Sequence, residues 1–406
     1  MKVLGIIAEY NPFHNGHKYQ IQKAKETTGA DYVVVIMSGP FVQRGEPAFL
    51  SKYQRAKAAL TEGVDLLLEL PVCYATASAN YFALGAVSLL HNLGVVTHLS
   101  FGVETQDLEL FYALVHFLKN EGVEYKEQLK QGLKQGLSFP KARRMAVSKL
   151  LGEEYGVLLD TPNNILALEY LLALNQLKSN ILPVPIKRIT NQYHQKELTK
   201  TISSATAIRN AAINQLDEPL FHALPSAMKE TFIENYHKNF PVDLNDFSTC
   251  FHYQNVMSPY TINDIFDGSL DFEHRFMKRY SPSLSLTELT DVLSYKGYTT
   301  TRIQRILLHF LLGIQKSQMK LFLENNIVYY GKILGFRTSA SPLLKEIKNH
   351  ASIPVFYRPI EEEGLSDIGT QMYQMDKKSE ELYRLVVSQK FHTPLLKEKT
   401  IILPTE

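Results

Sequence analysis

The stretch Lys2–His17, KVLGIIAEYNPFHNGH, decides the fold. Lys2–Ala8 reads as a β-like apolar run, a short loop follows, and a helical pattern begins near Gly16 and runs to Thr28. A strand that turns at once into a helix is the opening unit of an α/β sheet. His14 and His17 stand three residues apart around Gly16, so on a helix they share one face. The free N–H groups and partial positive charge of a helix N-terminus suit an anionic phosphate. Gly16 lacks the Cβ that would obstruct a close approach. Two imidazoles there can donate hydrogen bonds to charge that builds on an α-phosphate as pyrophosphate leaves. The plain alternative is a helix cap with two incidental histidines.

Outward from this segment the alternation continues. Asp31–Met37 (DYVVVIM) and Val64–Leu70 read as buried strands, Val95–Phe101 as a fourth and Val184–Ile189 as a fifth. Helical patterns cover Ser51–Glu62, with Ser51 as N-cap, and Cys73–Asn92, closed by Gly94. A long helical insertion spans roughly 105–178. The expected fold class is α/β, a Rossmann-like doubly wound parallel sheet of about five strands with helices on both faces. In such a sheet the loops after Ala8, Met37, Phe101 and Ile189 face one cleft beyond the strand C-termini.

At 406 residues the chain is long enough for two or three domains. Residues 1–210 are expected to form the nucleotide-binding catalytic domain, with the insertion 105–178. Residues 211–406 read as mainly helical, with a small mixed α/β segment: strands at Ile327–Phe336 and Ile353–Tyr357 around a helix at Ser341–Asn349. A hydrophobic share of 45% supplies a sizeable core, and a net charge of +2 leaves any nucleic-acid surface to local patches. Cys73 and Cys250 are far apart and lack a CxxC partner, which argues against a disulfide framework or structural zinc. The N-terminal apolar run is too short for a signal peptide, and no stretch approaches the ~18 apolar residues that span a bilayer. A cytoplasmic location away from membranes is the default expectation.

A second phosphate-handling element is Thr201–Arg209, TISSATAIR. The hydroxyls of Ser203 and Ser204, a helix start and Arg209 can bind β- and γ-phosphates. The alternative is a serine N-cap with a solvated arginine.

These two motifs resemble the class I synthetase and nucleotidyltransferase superfamily, with its HxGH signature and an ISSTxIR-like second motif. Here the second motif is ISSATAIR, with one extra residue before Ile-Arg. AEYNPFHNGH, SGPFVQRGEPA at Ser38–Ala48, SFGVE at Ser100–Glu104 and TPNNILALEYL at Thr161–Leu171 further resemble the bacterial tRNA(Met) cytidine acetate ligase family. The resemblance implies an enzyme that makes N4-acetylcytidine at the wobble position of elongator tRNA(Met). It implies acetate and ATP as substrates, an acetyl-adenylate intermediate and no acetyl-CoA. It places ATP contacts on Ile7, Ala8, Glu9, Tyr10, Asn11, Pro12, Phe13, His14, Asn15, Gly16, His17, Lys18 and Tyr19, and on Gly102, Asn163, Arg188 and Ile189. At Gly102 a small residue lets the adenine lie on the backbone, or simply makes a turn. Asn163 is equally readable as a helix N-cap. Arg188 ends the fifth strand, where a phosphate or ribose would lie. Arg44 either faces substrate or is an exposed turn arginine. Mg2+ is expected with triphosphate chemistry, although no carboxylate cluster marks its ligands.

Lys296–Arg358 holds ten Lys/Arg against Glu324 and Glu346, and Lys126–Leu150 holds seven against Glu127. Basic stretches with interleaved aromatics suit phosphate contact and base stacking. The candidates for contact with tRNA are Arg302 and Arg305, at i and i+3 on one helix face, with Lys332 and Arg337. Solvated helix faces and core aromatics are the alternative. Two other functions fit part of the pattern: a small-molecule adenylyltransferase of the HxGH class, and an RNA-binding protein with a degenerate nucleotide fold. The first leaves the basic helical half without a role. The intact histidines, glycine and serines argue against the second.

Overall fold

The computed structural model describes residues 1–188, 203–214, 216–358, 364–395 and 399–404. Its strands are β1 (Val3–Ala8), β2 (Tyr32–Ser38), β3 (Phe41–Val42), β4 (Glu46–Pro47), β5 (Leu66–Leu70), β6 (His98–Val103), β7 (Leu182–Lys187), β8 (Gly331–Arg337), β9 (Val355–Phe356) and β10 (Ile401–Leu403). Eight form one sheet in the order β10-β8-β5-β2-β1-β6-β7, with β9 paired to β8, while β3 and β4 make a small hairpin. The five strands expected from sequence are the parallel run β5-β2-β1-β6-β7. The chain moves from β1 out to β5 and returns to β6 on the other side of β1. That reversal opens the crevice in which an α/β sheet of this type binds ligands.

Side-chain alternation explains the two helical layers. Along β2, Val34 and Ile36 enter one core, while Val33, Val35 and Met37 enter the other. The helices Asn15–Thr28 and Lys52–Thr61 contribute Ile21, Ala24, Ala56, Ala59 and Leu60 to the second core. Ala79–Asn92 and Pro162–Gln176 pack on the opposite face. Strand β7 carries Pro183 and Pro185 yet pairs normally. The amides of Leu182 and Arg188 donate to Thr97 and Val103, so the even-numbered amides face β6 and the two prolines stand on the open edge.

The structure extends the sequence reading in one respect. Strand β8 pairs antiparallel with β5, and β10 then pairs with β8. Residues beyond 210 therefore continue the same sheet as well as forming helices. Gly335 fits this close packing, since a Cβ there would lie 2.6 Å from Leu60 Cδ1 and 3.0 Å from the Ile401 carbonyl oxygen. Cys73–Asn92, read as one helix, is two, Val72–Ala75 and Ala79–Asn92. Among the described residues no helix is long and apolar enough to cross a membrane.

Candidate active site

The loop from β1 into the helix Asn15–Thr28 is tightly constrained. Tyr10 adopts a left-handed φ of +48°. Its ring meets Phe13 and His17 edge-on at 4.8 Å. Asn11 Oδ1 accepts from the Phe49 amide at 2.8 Å. His14 is the helix N-cap: its Nδ1 accepts from the Gly16 amide at 3.1 Å, while His17 Nδ1 accepts from the His14 amide at 3.3 Å. The rings stack at 3.7 Å.

This geometry fixes the protonation. A nitrogen that accepts from a backbone N–H carries no proton, so each neutral imidazole holds its hydrogen on Nε2. Burial, and then the charge of Arg188, push His14 down to about 3. Burial, then His14 and Arg188, hold His17 well below its ordinary value. Both rings are neutral at pH 7 and offer one Nε2–H each to a ligand.

The second motif meets the first. Arg209, from the helix Ala205–Asn214, donates through Nη1 to the Asn11 carbonyl at 2.7 Å. Ser204 Oγ accepts from the Ala207 amide at 3.1 Å, which makes it an N-cap. Ser203 is buried beside it. Thr201, Ile202 and Ile189 lie outside the described residues.

Arg188, just past β7, donates to Asn163 Oδ1 at 3.2 Å, and Asn163 Nδ2 donates to Glu104 Oε1 at 2.6 Å. Thr161, the N-cap residue of the helix Pro162–Gln176, donates to the other oxygen of Glu104 at 2.9 Å. Asn163 is therefore inside the helix and holds Arg188. Among the described residues the buried Arg188 Nε has no hydrogen-bond partner. A Cβ on Gly102 would stand 3.2 Å from Arg188 Cγ, so the glycine admits this arginine across β6.

Glu9 is half-buried, and its Oε1 accepts from the Gln43 amide at 2.8 Å. Burial raises its pKa, against that bond and the charges of Arg209, Arg44 and Arg55. Lys18 pairs with Glu62 at 2.8 Å. Ile7 and Ala8 end β1 half-buried, Pro12 is buried in the loop, and Tyr19 is half-buried on the helix face. Asn15 is tied by its amides to the Ala223 and His222 carbonyls.

Sequence reasoning missed Arg55 and Glu104 as site organisers. Arg55 is fully buried and donates to the carbonyls of Glu9, Ser38, Gly39 and Leu50, locking the loops after β1 and β2 together. Nothing in the pattern KYQRAKAAL distinguishes it from a solvated helix arginine. Glu104 stood at the end of a quoted motif, and its place after β6 was the available signal.

The proposed RNA-facing cations divide. Arg305 is buried and paired with Asp267 at 3.0 Å. Lys332 sits between Glu69 at 3.0 Å and Glu380 at 2.9 Å. Arg337 donates to the Leu60 and Thr61 carbonyls, capping a helix C-terminus. Each of these three cations already has its partners within the fold. Arg302 stays half-exposed, with its guanidinium 4.0 Å over the Tyr298 ring. Among the described residues no group of three or more His, Cys, Asp or Glu is placed to hold a metal ion.

The comparisons with known proteins agree with this architecture. A model of the HIGH Nucleotidyl Transferase family matches residues 1–398. A tRNA(Met) cytidine acetate ligase of Thermoanaerobacter sp. (strain X514) is 40% identical over 388 residues, 95% of each chain. Its namesake from Caldicellulosiruptor saccharolyticus is 42% identical over 350 residues, 86% of this chain and 85% of its own. The crystal structure of Thermotoga maritima TmcAL bound with alpha-thio ATP superposes with a TM-score of 0.89 at 31% identity over the whole of both chains. The apo form of that protein gives a TM-score of 0.90. With likeness of this extent in both sequence and fold, the chain belongs to the tRNA(Met) cytidine acetate ligase family of HIGH nucleotidyl transferases.

Proposed function

We propose that this chain activates acetate with ATP and transfers the acetyl group to N4 of the wobble cytidine of elongator tRNA(Met). The observation that carries the reading is the tautomer pair: His14 and His17 each accept a backbone N–H at Nδ1, which leaves two neutral Nε2–H donors side by side. Such donors stabilise negative charge at an α-phosphate without adding a titrating cation at neutral pH. An acetate oxygen attacks the α-phosphorus, the bond to the β-bridging oxygen breaks, and pyrophosphate leaves. The cytidine N4 then attacks the acetyl carbon, loses a proton, and AMP departs with the C–O bond electrons.

In this reading the loop Ile7–Tyr19 cradles the α-phosphate. Ser203, Ser204 and Arg209 hold the β- and γ-phosphates, while Gly102, Asn163 and Arg188 flank the nucleoside. Mg2+ would enter with the triphosphate and offset part of its charge; among the described residues no group of three or more His, Cys, Asp or Glu is placed to hold it. Residues 1–210 supply the adenylating site. The insertion 105–178 and the helical part of 211–406 supply the RNA contacts, with Arg302 the remaining cation of those proposed. Acetyl-CoA is not required, and the reaction belongs in the cytoplasm with the tRNA.

The test is incubation with labelled acetate, ATP, magnesium and unmodified tRNA. Acetate-dependent pyrophosphate exchange and labelled tRNA are expected. Exchange that requires a phosphorylated metabolite instead of acetate would establish a small-molecule adenylyltransferase and overturn the proposal.

A further inference from the structure

Outside the nucleotide site, the helical region carries a stacked pair of tyrosines with an arginine close to each ring. The Arg275 guanidinium lies 4.8 Å from the Tyr295 ring, Tyr295 stacks on Tyr298 at 4.5 Å and 23°, and Arg302 lies 4.0 Å over Tyr298. All four residues are half-exposed. Arg275 is braced by the carbonyls of Val292, Leu293 and Ser294, and Tyr298 by Ser269 Oγ at 2.9 Å. Among the described residues neither Arg275 nor Arg302 has a carboxylate partner, unlike Arg305 one turn on. Asp271 and Arg302 act on Tyr295 electrostatically with opposite sign, and Arg302 Nη2 also donates to the Asp267 carbonyl at 3.4 Å.

Two contacts connect this stack to the rest of the molecule. The exposed Lys296 runs its stem over Gly136, where a Cβ would lie 2.8 Å from Lys296 Cε. Gly136 has a φ of +78° and forms the turn between the basic helices Val123–Lys134 and Phe139–Leu151. The two basic stretches of the sequence thus adjoin, and that turn is flanked by the exposed Leu133, Lys134 and Phe139.

In the other direction, Gln304 Nε2 donates to Glu46 Oε1 at 3.3 Å. A Cβ on Gly45 would stand 2.5 Å from the Arg305 amide nitrogen. Those residues belong to the loop after β2, where Arg44 acts electrostatically on Glu9 and Arg209. The stack therefore begins two residues from the rim of the nucleotide site.

We propose that the Arg275–Tyr295–Tyr298–Arg302 stack, with Lys296 over Gly136, is the surface that receives an unpaired RNA loop beside the nucleotide site. This rests on the chain being a tRNA-modifying ligase. Half-exposed guanidinium and phenol groups offer stacking faces to unpaired nucleotides. The uncompensated cations meet phosphates, which position an RNA without reading its sequence. A base flipped out of such a loop needs to reach the adenylate a short distance away.

The test uses Lys296→Glu and Arg302→Gln in the full chain. Acetate-dependent pyrophosphate exchange is measured alongside affinity for elongator tRNA(Met) transcript and for its isolated anticodon hairpin. Exchange should stay within about twofold of wild type. Affinity for both RNAs should fall roughly tenfold or more in each variant, and Lys296→Glu should flatten the log-affinity against log-salt slope by about one. Unchanged RNA affinity in both variants overturns the surface assignment. Loss of affinity for the full tRNA but not for the hairpin overturns it too, because the contact then lies elsewhere on the tRNA. Absence of acetate-dependent exchange and of tRNA acetylation by the wild type overturns the ligase reading itself, whatever the variants do.

Discussion

Arg209 Nη1 donates to the carbonyl oxygen of Asn11 at 2.7 Å, so the second phosphate motif holds the loop that presents the first. The two sequences are nearly 200 residues apart, at |i−j| = 198, and neither motif is complete alone. The same guanidinium lies near Glu9 and Glu46, whose charges oppose the lowering of its pKa by burial. Arginine keeps its proton under such conditions.

Replacing Arg209 with lysine retains the charge but removes the planar fork. One ammonium cannot brace the Asn11 carbonyl and meet a phosphate in the same geometry. Arg209→Lys should lower acetate-dependent exchange about 10²-fold, with a raised KM for ATP and an unchanged melting temperature. Exchange within threefold of wild type would reduce Arg209 to a loop brace.

His17 has two jobs that substitutions can separate. Its Nδ1 accepts the His14 amide, and in the proposed reaction its Nε2–H meets the phosphate. His17→Asn retains a side-chain acceptor near the amide, whereas His17→Ala removes both groups. Loss of the capping bond costs about 1 kcal/mol, and loss of one donor to a developing charge costs roughly 10²–10³ in kcat. Both variants should therefore lose adenylation, with only His17→Ala losing measurable stability, and both should keep tRNA affinity. Parallel loss of adenylation and tRNA binding in His17→Asn would count against a phosphate role.

The depressed His14 pKa makes a pH prediction whose sign is definite. The unfolded ring titrates near 6.5 and the folded ring near 3, so below pH 6.5 the unfolded chain binds the extra proton. Its contribution to stability is complete above pH 6.5 and is lost progressively as the pH falls toward 3. Melting temperatures of wild type and His14→Asn, compared from pH 7.5 to 4, should converge on the acid side. A constant gap across that range would show that the ring is not buried in its neutral form.

Much of this was legible in the chain. Five parallel strands followed from buried apolar runs such as DYVVVIM, and the histidine loop from its place between strand and helix. The antiparallel addition of β8 and β10 was not, because GKILGFR shows a strand but not its neighbour. Arg55 and Lys332 show the same limit at the level of side chains. A charged residue bound to carbonyls or carboxylates in the interior has the same one-letter code as a solvated one. Partner identity depends on tertiary contacts such as Lys332 with Glu380, which periodicity does not encode.

Lys332 shows how that limit can be tested. It and Lys52 alternate with Glu69 and Glu380 in a four-membered cluster, with Lys52 at 2.8 Å from Glu69 and 2.7 Å from Glu380. Burial works against ionisation of Glu380, but the two lysines outweigh it and bring its pKa down to about 2. Deleting one cation leaves the buried Glu69 and the half-buried Glu380 sharing one ammonium, and breaking a buried pair costs about 3–5 kcal/mol. Lys332→Met should show that loss in its denaturant midpoint, whereas Lys332→Met/Glu380→Leu should recover a large part of it, since the second change removes the stranded charge. The folded fraction of either variant should bind tRNA as wild type does. A drop in tRNA affinity with unchanged stability would return Lys332 to the RNA-facing surface.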